Sequence, residues 1–240
     1  MKSTAKALGA DRLVSLYRQQ QVRWGERSWS QEGEDRLLLR FFEPQASGFY
    51  VDVGAHHPYR FSNTALLHRL GWRGLNIDAM PGSMKAFKRA RPHDINLEIG
   101  IAKERGTAQF HVFNEKALNT FDPETARLHS RGSWRVERII DVQLLPLAEV
   151  LDRELAPGQT IDLLTVDAEG RDLQVLESND WSRWRPRAIL AESLGSVLDG
   201  LTGDPVARFL QSKGYRSFAK LVNTVMYVEE GYSRPGVADA

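Results

Sequence analysis

From Gly48 to Gly82 the chain reads GFYVDVGAHHPYRFSNTALLHRLGWRGLNIDAMPG, an order of strand, tight turn, helix and strand that few folds accommodate. The apolar run Phe49 to Val53 meets Gly54 and Ala55, a helix-length segment follows to Leu70, and a second strand runs from Gly74 to Ile77 before Asp78. In a parallel sheet, a small-residue turn after the first strand lets backbone approach a ligand. An acidic residue ending the second strand accepts both ribose hydroxyls. The separation of Gly54 and Asp78 suits that geometry, so the segment predicts a nucleoside site in an α/β fold. The competing reading is an ordinary turn in a structural βαβ unit.

The composition of the turn chooses among nucleosides. Pyrophosphate cradles use successive glycines, as in G-x-G-x-x-G, whereas Ala55, His56, His57 and Pro58 follow Gly54 here. A nicotinamide or flavin cofactor is therefore disfavoured. S-adenosylmethionine, a nucleoside without phosphates, fits such a turn better.

The alternation continues beyond Asp78. Pro81 to Arg91 reads as a helix opening on proline, Asp94 to Ile101 as a third strand, and Thr107 to Phe113 as an antiparallel strand. Between Asn114 and Arg135 the pattern dissolves into polar and turn residues, a length of loop expected of a lid over a site. Val136 to Leu145 reads as a strand and Leu147 to Leu155 as a helix. Next comes IDLLTVDAEGRDLQVLES, in which a buried strand, Ile161 to Val166, ends on Asp167 and passes Glu169 and Gly170 into a helix. Ligands in open α/β sheets bind at the carboxyl ends of strands, which puts Asp167 and Glu169 beside Gly54 and Asp78. Arg187 to Ala191 makes a further strand, Val206 to Lys213 a helix, and Tyr215 to Ala219 with Thr224 to Glu229 a terminal hairpin.

Composition narrows the classes of partner. In 240 residues, 32 basic side chains face 31 acidic ones, so no overall charge calls for nucleic acid or an anionic membrane. The 42% hydrophobic content supports one sizeable core. The chain has no cysteine, which excludes disulfides, thiolate nucleophiles and cysteine zinc sites. It lacks a signal-type apolar segment and a membrane-length apolar run, and the cytoplasm is the expected compartment. Three units are expected: a helical extension over 1–28, a Rossmann-like domain over 29–232 and a tail over 233–240.

Together, SQEGED, FYVDVGAHHP, the Ser62–Asn63–Thr64 triplet, GWRGLNIDAMP and LLTVDAEGRDLQVLES resemble the FkbM-type S-adenosylmethionine-dependent methyltransferases. The resemblance covers roughly residues 28 to 230. It implies a class I methyltransferase fold: a seven-stranded, mostly parallel sheet flanked by helices, with an antiparallel terminal hairpin. It also implies O-methylation of a hydroxyl on a sugar or natural product, with S-adenosylmethionine as cofactor and a small hydroxylated molecule as partner. By similarity, Asp52, Gly54 and Ala55 flank the methionine part, Asp78 and Ala79 the ribose, and Glu98 and Ile99 the adenine. Ser62 and Asn63 contact the cofactor carboxylate or cap the following helix. Gln31 and Glu34 form a flap or cap their own helix.

Methyl transfer to oxygen needs a positioned acceptor and a group to take its proton. His57, Asp167 and Glu169 are the candidates, histidine being suited by its ordinary pKa near 6.5, while the alternatives are that His57 fixes its loop beside proline and that Asp167 binds the cofactor amine. The rival chemistry is a divalent metal, magnesium, held by Asp167, Glu169 and Glu192. A zinc site is disfavoured because His56 and His57 diverge as chain neighbours. Trp24, Trp29, Trp134, Trp181 and Trp184 are candidates for stacking on a sugar or for the core. The alternative function is a non-catalytic nucleoside-binding domain in a larger assembly.

Overall fold

Five central strands carry apolar side chains on both faces, and this double burial is what the near-continuous Val, Ile and Leu runs encode. The computed structural model describes residues 27–43, 45–193 and 203–232. The expected extension and tail, Trp24, and most of the stretch between Leu194 and Pro205 lie outside the described residues. In chain order the elements begin with α1 (Glu34–Phe42), β1 (Phe49–Val53), α2 (Ala65–Arg69), β2 (Arg73–Asp78), α3 (Met84–Ala90), β3 (Ile95–Glu98) and β4 (Gly100–Ile101). They continue with β5 (Gly106–Phe113), α4 (Pro123–His129), β6 (Val136–Leu145), α5 (Leu147–Glu154), β7 (Leu163–Val166) and α6 (Asp172–Glu177). The chain closes on β8 (Ala188–Glu192), α7 (Pro205–Ser212), β9 (Tyr215–Lys220) and β10 (Thr224–Glu229).

The main sheet has seven strands in the order β3-β2-β1-β7-β8-β10-β9, parallel except that β10 runs antiparallel to both its neighbours. The chain thus winds outward from β1 to β3 on one side and from β7 on the other, and a crevice opens where the two directions part. On one face Val51, Val53, Leu75, Ile77, Leu164 and Val166 meet α5, α6 and α7. On the other face Tyr50, Leu163 and Leu190 meet Leu38, Phe41 and Phe42 of α1. Phe42 packs edge-on against Trp72, with centroids 4.8 Å apart. Each such fully buried side chain contributes about 1.5–3 kcal/mol.

The sequence reading differs from the structure at instructive places. The expected third strand, Asp94 to Ile101, is two strands in two sheets. Ile99 N donates to Asp78 O (3.0 Å), after which Gly100 and Ile101 pair with Leu144 and Leu145 of a second sheet ordered β4-β6-β5. Gly100 permits the switch, since a Cβ there would lie 2.5 Å from Leu144 Cδ2 and 2.7 Å from Phe121 Cζ. The supposed loop from Asn114 to Arg135 holds a 3-10 turn, Lys116–Leu118, and α4. Asp122 caps α4 by accepting from Thr125 N (2.7 Å), and Pro123 stands in its first turn, a start signal visible in the sequence. The helix expected to reach Leu70 is regular only over Ala65–Arg69, because Pro58 and left-handed backbone at His56 and Phe61 keep the preceding stretch irregular. Likewise Pro81 precedes α3 rather than opening it. Gly33 holds the N-cap position of α1, and Ser30 Oγ donates to Asp35 (3.0 Å).

Candidate active site

A cavity of about 410 Å³ lies at the carboxyl ends of β1, β2 and β7. Its floor is built by backbone. Gly54 N and Ala55 N both donate to Ile77 O (2.9 and 3.0 Å), and Asp167 N donates to Val53 O (2.9 Å), so three strand ends are tied together. Gly54 sits at φ +85°, and a Cβ there would lie 1.8 Å from Asp167 O. Glycine is required by the neighbouring strand before any ligand enters the argument.

Asp78 ends β2 inside the cavity. Its Oδ2 accepts from His56 N (2.9 Å) and its Oδ1 from Met80 N (2.7 Å), an arrangement that fixes the carboxylate while leaving lone pairs for hydroxyl donors. Burial nonetheless pushes its pKa above the ordinary value. Ile99, Gly100 and Ile101 form the adjoining wall, and Phe110, Lys116, Asn119 and Phe121 of the small sheet and its loop form the roof. The roof is strapped on two sides. Arg60 clasps Glu115 through two hydrogen bonds (2.9 and 3.0 Å), and Thr120 Oγ1 donates to Glu169 O (2.8 Å).

Carboxylates dominate the β7 side. Water reaches Asp167, yet protein surrounds it, and burial followed by the charges of Asp52 and Glu34 raises its pKa to about 6. Burial and then Asp167, Glu192 and Asp172 raise Glu169 to about 9, and burial, Asp167 and Glu32 raise Glu192 to about 7 against the pull of Lys220. Asp172, one turn further, is pushed well above the carboxylate range, and its Oδ1 has no hydrogen-bond partner. Like charges crowd here, which is how pKa values of neighbouring acids are driven apart.

Of the residues expected from the sequence, Gly54, His57, Asp78, Ala79, Ile99, Asp167 and Glu169 line the cavity. Others are placed elsewhere for clear reasons. Asp52 is buried behind the turn and accepts from Thr64 Oγ1 (2.7 Å), with burial raising it to about 6. Ala55 packs with Met84 and Phe87. Ser62 Oγ accepts from Arg91 (3.0 Å), and Thr64, although at the N-cap position of α2, makes no capping bond. Glu98 Oε1 accepts from Met84 N (3.2 Å) at the start of α3. Asn63 and Glu192 line a smaller annex with Gln31 and Asp167. His57 Nδ1 accepts from Tyr59 N and Arg60 N (3.1 and 3.0 Å), and burial and Arg60 hold its pKa below the usual value.

The SQEGED motif divides its labour. Gln31 lines both cavities, Glu32 accepts from Asn223 N (2.9 Å), and Glu34 accepts from Thr224 Oγ1 (3.2 Å), anchoring the segment to β10. The roof residues Phe110, Lys116, Asn119 and Phe121, and the buried Arg91 behind the turn, were not singled out from the sequence. No spacing pattern marks them, since the small sheet brings distant segments together. Trp181 and Trp184 belong to the core, Trp29 lies under Arg69 (5.1 Å), and Trp134 is exposed.

Residues 52–217 match the family model described as the methyltransferase FkbM domain. The chain belongs to the FkbM methyltransferase family. Similar solved structures include two methyltransferases. One, methyltransferase FkbM from Methylobacillus flagellatus KT, shares 12% identity with a TM-score of 0.48. The alignment covers 83% of this chain and 48% of that one, so the present chain spans about half the length of that relative. The other is precorrin-6y C5,15-methyltransferase from Geobacter metallireducens GS-15, at 14% identity and a TM-score of 0.39, covering 81% and 85% of the two chains. No protein of curated function matches this one.

Membership of the FkbM family implies S-adenosylmethionine as methyl donor, and the cavity fits it. Its volume is that of a small-molecule pocket, a fixed carboxylate ends β2, and apolar side chains flank it. The expected magnesium site is not formed: Asp167, Glu169 and Glu192 do not converge. Among the described residues no three His, Asp or Glu side chains gather to hold a metal ion. None of the described helices is long and apolar enough to cross a membrane.

Proposed function

We propose that this protein methylates a hydroxyl of a sugar or other hydroxylated metabolite, with Asp167 taking the hydroxyl proton. The observation that carries the reading is the position of Asp167: its backbone touches the Gly54 turn, and the residue lines the cavity that Asp78 borders. Bound there, S-adenosylmethionine supplies an electrophilic methyl group on a sulfonium. Asp78 would hold its ribose hydroxyls, and Ile99 would cover the adenine. What remains for the protein is to hold the acceptor oxygen in line and receive its proton.

The acids divide the work by environment. With a pKa of about 6, Asp167 is ionised at neutral pH yet close enough to it to act as a base. Glu169, at about 9, is protonated and donates a hydrogen bond to the acceptor. His57 is the second candidate base, through the Nε2 that its loop contacts leave unused.

Substitution separates these roles. Asp167→Asn is expected to lower kcat by roughly 10²–10⁴-fold toward a responsive hydroxylated acceptor, the range for losing a positioned base, while S-adenosylhomocysteine affinity measured by calorimetry changes little. His57→Ala is expected to cost less. Wild-type turnover by Asp167→Asn would remove Asp167 from the proposal, and failure of wild-type protein to bind S-adenosylhomocysteine would remove the donor.

A further inference from the structure

His56 and Phe61, two non-glycine residues that line the cavity, sit at φ +52° and +57°. Side chains with a Cβ resist that region, and such conformations persist only where their surroundings over-determine them. Between and just beyond these two residues the backbone is gripped from behind by a single side chain. Arg91, 1% exposed, donates through Nη2 to Pro58 O (2.6 Å) and Ser62 Oγ (3.0 Å). Through Nη1 it donates to Thr64 Oγ1 (2.8 Å), Asn76 Oδ1 (3.1 Å) and Tyr50 Oη (3.2 Å).

Charge balance explains why a buried cation is tolerated there. Thr64 hands its own proton to Asp52, and Tyr50 donates to Asp94, whose other oxygen accepts from Gly74 N (3.3 Å). Two buried carboxylates thus answer one guanidinium across a connected network. None of Arg91, Asp52, Asp94, Tyr50, Asn76, Ser62 or Thr64 lines the cavity. The network touches the site only through the stretch it holds.

We propose that Arg91 is a positioning residue for the cofactor cleft: its planar fork pins Pro58–Thr64 to β1 and β2 and thereby holds His56 and Phe61 in the strained shape that forms the cavity wall. Lysine cannot reproduce the grip, because acceptors shared between two terminal nitrogens match the guanidinium fork and not a compact ammonium. The consequence for cofactor rests on the reading that this cleft holds the methyl donor, whereas the consequence for the loop does not.

The test uses the full chain and two variants, Arg91→Lys and Ser62→Ala, the second removing one acceptor while sparing the guanidinium. Hydrogen exchange, S-adenosylhomocysteine calorimetry and steady-state kinetics are compared well below the unfolding midpoint. In folded Arg91→Lys, amides across 56–64 should exchange faster with the centre of β1 unchanged. S-adenosylhomocysteine affinity should fall roughly tenfold, as expected when a supporting shell is loosened. KM for the donor should rise in step while kcat at saturation holds, and Ser62→Ala should move every readout the same way by less. Wild-type exchange and affinity in the folded variants would overturn the proposal, as would a fall in kcat with KM unchanged. Should Arg91→Lys not fold, Ser62→Ala decides alone. If wild-type protein does not bind S-adenosylhomocysteine, the donor reading fails, and the exchange comparison still judges Arg91.

Discussion

The turns that leave β1 and β7 face each other across one cavity, and they are held by opposite means. After β1, backbone and side chains find partners: Gly54 and Ala55 donate to Ile77 O, Asp78 is fixed by two N–H groups, and Arg91 fills its acceptors. After β7, Glu169 stands at φ +47° beside Gly170 at +93°, carboxylates crowd one another, and Asp172 Oδ1 and Arg171 Nε find no partner. The first turn is over-determined, the second electrostatically loaded. In the proposed reaction, rigid scaffolding would place the cofactor and the perturbed acids would move the proton.

The largest expected way to break this contrast is at the point where the turns touch. Gly54→Ala places a methyl 1.8 Å from Asp167 O on a backbone already at φ +85°, so β1 and β7 must part. A loss of about 3 kcal/mol is expected, from overpacking added to left-handed strain, and denaturant unfolding measures it. A loss below about 1 kcal/mol would show that the two turns are not one unit.

Next in size is the pH dependence of the loaded turn. Glu169 has a raised pKa in the folded protein, so the native state holds a proton that the unfolded chain releases. Its contribution to stability is intact below about 4.5 and is lost as pH rises toward about 9. In Glu169→Gln that loss is absent, and the variant's Tm is expected to gain on wild type steadily across this window. A constant difference between the two melting curves would mean that the β7 turn carries no such load.

The smallest effect belongs to the exposed tie between the β1 loop and the roof. Arg60 and Glu115 form a bidentate pair, but Arg60 is 46% exposed, and solvent-facing pairs contribute about 0.2–1 kcal/mol. Glu115→Ala is expected to cost under about 1 kcal/mol, less still at high salt, as chemical denaturation would show. A larger cost would make the roof part of the β1 frame.

The sequence disclosed the main sheet well because its signals are local. Apolar runs such as Phe49–Val53 and Ile161–Val166, stopped by Gly54 and Asp167, encode strands and their ends within a few residues. That Asp78 and Asp167 line one cavity was legible because strand ends in such sheets converge. The small sheet was not legible: β4 has two residues and pairs with Leu144 and Leu145, more than forty positions away. For a related reason the sequence left Asp52 open between cofactor contact and organising the turn. Its motif is local, but its partner Thr64, itself held by Arg91, comes from the segment that follows the turn. Likewise Ser62 looked like a cap until the buried guanidinium was found behind it.

At Gly54 a hydrogen atom stands where nearly every other residue would put carbon, and that gap sets the spacing between the two halves of the site. Walls joined so closely cannot be widened by loop exchange, because either loop can change while the seam stays fixed. Room for a larger acceptor must therefore come from the roof, where Phe110, Lys116, Asn119 and Phe121 arrive from a separate sheet. The division leaves the joint fixed while the shape of the cavity above it is set by a part of the molecule that the joint does not touch.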